Sequence, residues 1–520
     1  MADMSQGRSN VPVGGSLVQS TQTISGSKGL VFAEPLIFEL DHDGRTGVDL
    51  PDVEISEERL NGQRRAAPVG WPGVSEPQVV RHYTRLSQKN YGIDSGFYPL
   101  GSCTMKHNPR INEKMARLAG LGDLHPMQPI STVQGALELI DNLAGWLKDL
   151  CGMPAIAMSP AAGAHGELCG MMAIKAAIEA RGEAATRTRV LVPESAHGTN
   201  PASAAACGFS VDSIPANDLG RVDLQAFKDK LGDDVAGIML TNPNTCGLFE
   251  SDIITIADAI HAAGGYFYCD GANFNAIMGR IRPGDLGIDC MHLNLHKTFS
   301  TPHGGGGPGA GPVVLSEALA PFAPLPYVVH NSDGFDLIEH SSDSNAQPFG
   351  RLKGFHGQMG VFVRSLSFIL SHGADGLLQA SADAVLNANY LRAQLQDVMT
   401  VPFDGMCMHE VLFDDEFLHG TDVTTLDFAK AMIDEGFHPM TMYFPLVVHG
   451  ALLMEPTESE SKETLDLYIK TLRGLIDRAK SGDAQFFKNS PTLTPRRRLD
   501  ETMAARKPVL RWTQETSETA

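Results

Sequence analysis

Five short apolar runs, each halted by a polar or turn residue, constrain this chain more than any other feature. Residues 190–192 stop at Pro193, 237–240 at Thr241-Asn-Pro, 266–268 at Cys269-Asp270-Gly and 291–295 at His296-Lys297; residues 312–315 close the series. An amphipathic stretch, 253–263, separates the second run from the third. Strand, helix, strand, with turn residues at the strand ends, predicts an α/β domain on a mainly parallel sheet. Ligands of such sheets collect outside the carboxyl ends of the strands. The polar residues just named fall at those ends, which marks them as a candidate site.

The rest of the chain is arranged around this domain. With 520 residues it is too long for one ordinary core. Residues 1–29 read as a flexible arm, and 30–129 as a loop-rich segment punctuated by proline, expected to gain order by packing against another chain. Leu137, Leu139, Ile140, Leu143, Trp146 and Leu147 then recur at helical spacing, opening a large domain over 130–357. Helical text at 361–370 and 381–398, a strand at 409–413 and a helix at 426–433 predict a smaller C-terminal α+β domain over 358–485. A tail, 486–520, carries the basic run Pro495-Arg-Arg-Arg498.

Composition excludes several classes of function. A net charge of -20 opposes a nucleic-acid binder, whose affinity rests on clustered Lys and Arg. The eight cysteines form no Cys-x-x-Cys pair and read as reduced thiols. No targeting peptide and no uncharged run long enough to span a bilayer is visible, so a cytoplasmic location and no membrane partner are expected.

The segment His292-Leu-Asn-Leu-His-Lys297 through Pro312 admits three readings. His292 and His296 lack the intervening Glu of a zinc helix, and on a strand they would stand roughly 13 Å apart, so no metal is expected. Residues 304–311 are glycine-rich but have no Gly-Lys-Ser/Thr, and a wide turn explains them better than a nucleotide loop. Lys297 remains, as a covalent anchor for pyridoxal phosphate. That cofactor needs a lysine, a carboxylate at its pyridine nitrogen and backbone donors for its phosphate. Asp270 ends the preceding strand, and Ala161-Ala-Gly-Ala-His-Gly-Glu167 opens a helix with small residues that let N–H groups approach an anion.

Taken together, Asp270-Gly-Ala-Asn, His292-Leu-Asn-Leu-His-Lys-Thr-Phe and Pro302-His-Gly-Gly-Gly-Gly-Pro-Gly-Ala-Gly-Pro312 resemble the cofactor segment of glycine decarboxylase, the P-protein of the glycine cleavage system. Tyr98-Pro-Leu-Gly-Ser-Cys-Thr-Met-Lys106, Ser195-Ala-His-Gly-Thr-Asn-Pro-Ala-Ser203, Thr241-Asn-Pro-Asn-Thr245 and Glu455-Pro-Thr-Glu-Ser-Glu460 match as well. The length is similar to the lysine-bearing subunit 2 of the split form. Phe355-His-Gly-Gln358 and Pro439-Met-Thr depart from the family pattern.

The resemblance implies fold-type I pyridoxal-phosphate architecture and decarboxylation of glycine, with the aminomethyl group passed to the lipoyl arm of an H-protein. It implies subunit 1 as partner, two copies of each. Lys297 would be the anchor, Asp270 the pyridinium partner, and His197 and Ala272 would flank the ring. Gly163, Ala164 and His165 would hold phosphate, with His296 beside them, and Thr241 and Asn244 would approach the ring hydroxyl. Ser102, Cys103 and Lys106 would close over glycine or line the lipoyl entrance. The readings held against this one are another fold-type I decarboxylase with no lipoyl acceptor and a non-catalytic assembly subunit.

Overall fold

A computed structural model describes residues 33–51, 57–67, 69–303, 307–344 and 346–513. The proposed arm at 1–29 and the heart of the glycine run, 304–306, lie outside the described residues. Seven strands form the main sheet: β1 (Ala155–Ala157), β2 (Arg189–Pro193), β3 (Ser210–Ile214), β4 (Val235–Thr241), β5 (Tyr266–Asp270), β6 (Cys290–His292) and β7 (Val313–Leu315). Their order is β1-β7-β6-β5-β4-β2-β3. The run from β3 to β6 is parallel, and β7 is antiparallel to both β6 and β1.

Both faces of this sheet are covered, and the two-residue period of a strand decides which side chain meets which layer. Leu191, Ile238, Leu240, Phe267, Cys269 and Met291 pack with the helices Gln134–Cys151, Ile253–Ala262 and Met359–Leu395. Val190, Val192, Met239, Tyr268 and Cys290 pack instead with the helix Gly163–Ala180. Burial on both sides is why these strands read as continuous apolar runs rather than alternating ones.

Three differences from the sequence reading have physical causes. β3 was not foreseen: Ser-Val-Asp-Ser-Ile is an edge strand, largely exposed, with no apolar run to betray it. β6 stops at His292, not at residue 295, and Leu295–Thr298 is a helical turn. Lys297 therefore sits beyond the strand end, and the strand-spacing argument does not apply to His292 and His296. The helices expected at 361–370 and 381–398 are one run, Met359–Leu395, broken at Gly373, where φ is 62° and ψ -178°.

A three-stranded antiparallel sheet follows, β10-β12-β11, built from β10 (Val411–Phe413), β11 (Thr441–Met442) and β12 (Leu452–Met454), while β8 (Tyr327–Asn331) and β9 (Gly334–Ile338) form a separate hairpin. Contacts divide the chain into two compact units. Gly96–Ala429 with His438–Ala484 forms the one that holds both sheets, and Lys430–Phe437 joins the described parts of 1–95 and 485–520 in the other. The second unit has its own polar core: Glu34 accepts from His82 Nδ1 at 3.0 Å and from Arg85 Nε at 2.6 Å. Among the described residues no helix is long and apolar enough to cross a membrane.

Candidate active site

The carboxyl ends of β2, β4, β5 and β6 lie along one edge of the sheet, because those strands are parallel neighbours. Asp270 ends β5 and is 3% exposed. Its Oδ1 accepts the Ala272 N–H at 2.9 Å, and its Oδ2 accepts the Asn200 amide at 3.1 Å. His292 Nε2 stands 3.4 Å from Oδ1, while its Nδ1 pairs with the Tyr268 hydroxyl at 2.6 Å. Burial works to raise the Asp270 carboxyl, but His292, the Ala272 N–H and Asn200 outweigh it and hold it below the ordinary range. Burial also pushes His292 down. The Asp270 charge works against that shift.

A second carboxylate approaches from the helix Gly163–Ala180. Asn200 donates the same amide nitrogen to Glu167 Oε2 at 2.9 Å. Burial and then the Asp270 charge push Glu167 up to about 8. A neutral Glu167 leaves Asp270 as the one anion of the pair. Glu167→Gln, which fixes the neutral form, is therefore expected to keep the rate at pH 7 within about threefold and to remove an alkaline limb near pH 8. A pH profile of the variant's activity checks this; a limb that persists unchanged would reject it.

Lys297 is partly buried, and its Nζ donates to the Ser102 carbonyl at 2.8 Å. Ser102 belongs to a strap, residues 99–106, that lies across the site. Ser102 and Thr104 hold φ of 64° and 48°, a left-handed backbone worth roughly 1–3 kcal/mol of strain at each non-glycine residue. The strap is ordered on this chain rather than awaiting another one, which corrects the expectation for that part of 30–129. Its anchors are the Glu410 and Glu455 carboxylates and the Glu455 N–H, which donates to Pro99 O at 3.1 Å.

The other residues singled out in the sequence divide by what their polar atoms touch. His197 follows β2, is exposed, and its Nδ1 accepts the Thr199 N–H at 3.2 Å. Ala272 offers its N–H to Asp270. His296 is partly buried, accepts from the Ala310 N–H at 3.4 Å, and is driven down to about 3 by desolvation and then by Lys297. His165 accepts the Ala161 N–H at 3.1 Å, and burial lowers it too. Burial pushes the Cys103 thiol up to about 11, so it is no thiolate at neutral pH.

Two residues are placed away from the roles expected of them. Lys106, 4% exposed, donates to Asn275 Oδ1 at 2.9 Å, to Thr298 O at 2.7 Å and to Glu458 Oε1, so its three N–H groups are taken. It ties the strap to the Lys297 turn rather than facing a substrate. Asn244 donates to Gly220 O and Glu250, and accepts from the Cys246 and Leu248 N–H groups. It builds the loop after β4 and has no polar atom left for a ring hydroxyl. Thr241, at the end of β4, is different: its buried hydroxyl has no partner.

Pyridoxal phosphate fits what is present. No side chain caps the helix that begins at Gly163, so its first N–H groups are open to an anion. A Cβ at Gly163 would come within 2.5 Å of Asn294 Oδ1, so only glycine lets that backbone approach. Asp270 supplies a buried carboxylate for a ring nitrogen, and Thr241 Oγ1 and Asn200 Oδ1 are buried polar atoms without partners.

Sequence reasoning missed Glu167, Asn200, Tyr268 and His292 as the support of Asp270. One signal was available: Tyr268 and Asp270, two apart on one strand, share a face.

Residues 169–322 match the family "Aminotransferase class-V", and 380–493 match "Glycine dehydrogenase, C-terminal domain". A solved glycine decarboxylase (P-protein) of the glycine cleavage system, in inhibitor-bound form, superposes with a TM-score of 0.67 at 20% identity, covering 81% of this chain and 95% of that one. A glutamate decarboxylase of Lactobacillus brevis superposes with a TM-score of 0.62 at 13% identity, covering 83% and 96%. Fold and site thus define a pyridoxal-phosphate enzyme of fold type I.

Close relatives narrow this. A protein of Caulobacter vibrioides named "probable glycine dehydrogenase (decarboxylating) subunit 2" is 66% identical over 94% of each chain. One of the same name from Caldanaerobacter subterraneus is 52% identical over 92% of this chain and 98% of its own. The chain belongs to the glycine dehydrogenase (decarboxylating) subunit 2 family.

Proposed function

We propose that this chain is the cofactor-bearing subunit of a glycine dehydrogenase: it releases the glycine carboxylate as carbon dioxide and delivers the aminomethyl group to the lipoyl disulfide of an H-protein. That disulfide is the oxidant and is reduced as the C–S bond forms, so no nicotinamide is required. The observation that carries the reading is the pairing of a buried, ionised Asp270 at the end of β5 with the Lys297 amine beyond the end of β6.

Bound there, pyridoxal phosphate supplies a protonated ring that takes up the electron pair left when carbon dioxide departs. This chain's residues do the rest. Asp270 would hold a proton on the ring nitrogen through its carboxylate, kept ionised by His292 and by the Ala272 and Asn200 N–H groups. Lys297 Nζ, which donates to the Ser102 carbonyl, would be the covalent anchor. Gly163, Ala164 and His165 present the open helix start to phosphate. His197 and Ala272 would flank the ring, and His296 stands neutral beside the anchor. Ser102 and Cys103 roof the substrate space, with Cys103 present as a thiol. The experiment that tests the function is exchange of labelled carbon dioxide into the glycine carboxyl, with H-protein and subunit 1 added in turn.

The relatives are each a subunit 2, and we read a subunit 1 as this chain's partner, two of each in the assembly. With a net charge of -20, self-repulsion favours dispersed chains, so assembly needs an apolar interface of roughly 2,000 Å² or more. The chain alone is expected to show little carbon dioxide exchange and to regain it with subunit 1, while sedimentation shifts to a larger complex. Full activity alone, or unchanged sedimentation, would reject the two-subunit reading.

A further inference from the structure

Two buried carboxylates beside the site make no hydrogen bond to Lys297 or Asp270. Glu410 immediately precedes β10 and Glu455 immediately follows β12. Because Val411 lies opposite Met454 in that antiparallel pair, the two glutamates continue the register side by side. Both are 0% exposed. Burial, and then the charge of Glu455, drives the Glu410 carboxyl far above its ordinary value. Like charges this close in a dry setting do not both ionise, and Glu410 is the one driven toward its neutral form. The groups that face Glu410 are Glu455, Lys297 and the thiols of Cys103, Cys246 and Cys407, with His409 adjoining the pair.

Both carboxylates grip the same stretch of backbone. Glu410 Oε2 accepts the Ser102 N–H at 2.8 Å; Glu455 Oε2 accepts the Thr104 N–H at 2.8 Å, and Oε1 accepts the Thr104 hydroxyl. These are the two strap residues in the left-handed conformation, which persists only where the surroundings over-determine it. Between them, the Ser102 carbonyl receives Lys297 Nζ.

We infer that Glu410 and Glu455 are positioning residues for Lys297: by fixing the backbone of Ser102 and Thr104 they hold the one carbonyl that receives its amine. The inference rests on reading Lys297 as the covalent anchor. Ligand-type atoms of His409, Glu410 and Glu455 lie within 4.8 Å of one another, as in a cation site. Backbone N–H groups of the strap already point their hydrogens at both carboxylates, and a Glu410 driven toward its neutral form relieves the repulsion, so the pair needs no metal.

The test uses the full chain assembled with its partner subunit. Glu410→Ala is expected to speed amide hydrogen exchange in the peptide containing Ser102 and Thr104 by about tenfold or more, as one grip is lost. In cofactor-free protein it shifts the pH midpoint for acylation of Lys297, read by peptide mass spectrometry. It lowers kcat by about 100-fold, the effect of roughly 1 Å of misplacement. Glu410→Gln keeps an oxygen acceptor in the same place and is expected to restore exchange, midpoint and kcat to within about threefold, a rescue that mere packing damage would not show.

Unchanged exchange and an unchanged Lys297 midpoint in Glu410→Ala would overturn the inference, and so would a Glu410→Gln that behaves like Glu410→Ala. Stoichiometric metal in the purified complex, lost in Glu455→Gln, would overturn it in favour of a cation site. A Lys297→Ala chain that still holds the cofactor covalently would overturn the anchor reading and this inference together. Loss of cofactor in Lys297→Ala with unchanged exchange in Glu410→Ala would overturn this inference alone.

Discussion

Lys297→Ala is expected to lower glycine-dependent carbon dioxide exchange by about 10⁴-fold or more, because no other amine can take over a covalent anchor. Among the described residues the anchor makes one hydrogen bond, from Nζ to the Ser102 carbonyl, and alanine creates neither a large cavity nor a buried unpaired charge. The fold is therefore expected to survive: the Ser102–Glu410 and Thr104–Glu455 bonds do not involve the lysine. Two measurements check this. Cofactor-linked absorbance above the protein band is expected to vanish or become dialysable, and the thermal midpoint to stay within a few degrees of the parent. A variant that keeps both the attached cofactor and turnover would remove Lys297 from the role given to it.

Asp270→Asn is expected to have the second largest effect. An amide fills the same space and can still meet Asn200 or Ala272, but it carries no charge to hold a proton on a ring nitrogen. Removing one pre-organised charge from such a site is worth about 10²–10³ in kcat, and the expected result is a loss of that size with much of the cofactor retained. The electrostatics of the neighbours sharpen the expectation. Glu167 is pushed up to about 8 by burial and, secondly, by the Asp270 charge. Without that charge Glu167 ionises at lower pH, so the alkaline limb of the profile moves down. Near-normal turnover with glycine, or a limb that stays put, would contradict the assignment.

Much of the large domain was legible in the linear chain, and for a local reason. A parallel strand buried on both faces must be apolar throughout, and it must end where the backbone leaves the sheet. Runs that stop at Thr241, Asp270 and His296-Lys297 therefore announce strands and ligand-facing ends together. Lys297, Asp270 and the helix start at Gly163 are singled out by neighbouring residues alone. What hid β3 was the edge position itself, which demands no apolar run. The end of β6 was misjudged because Leu293 and Leu295 keep the alternation of a strand while the chain turns into a helix.

What the sequence by itself determined, then, is the sheet, the cofactor class and the chemistry of the strand ends, since each depends on residues close together in the chain. Only the tertiary structure decided how those groups are supported. Lys106 is neutralised by Glu458, a partner 352 positions away, and so turns from a free cation into a tie. Glu410 and Glu455 meet the strap from more than 300 residues beyond it, each through a backbone N–H that no residue pattern encodes. Asp270 is held ionised by Asn200, 70 residues earlier, and by the His292–Tyr268 pair behind it. The physical reason is the same in each case: a buried charge is set by whatever the fold packs against it, and that company is assembled across the chain rather than along it.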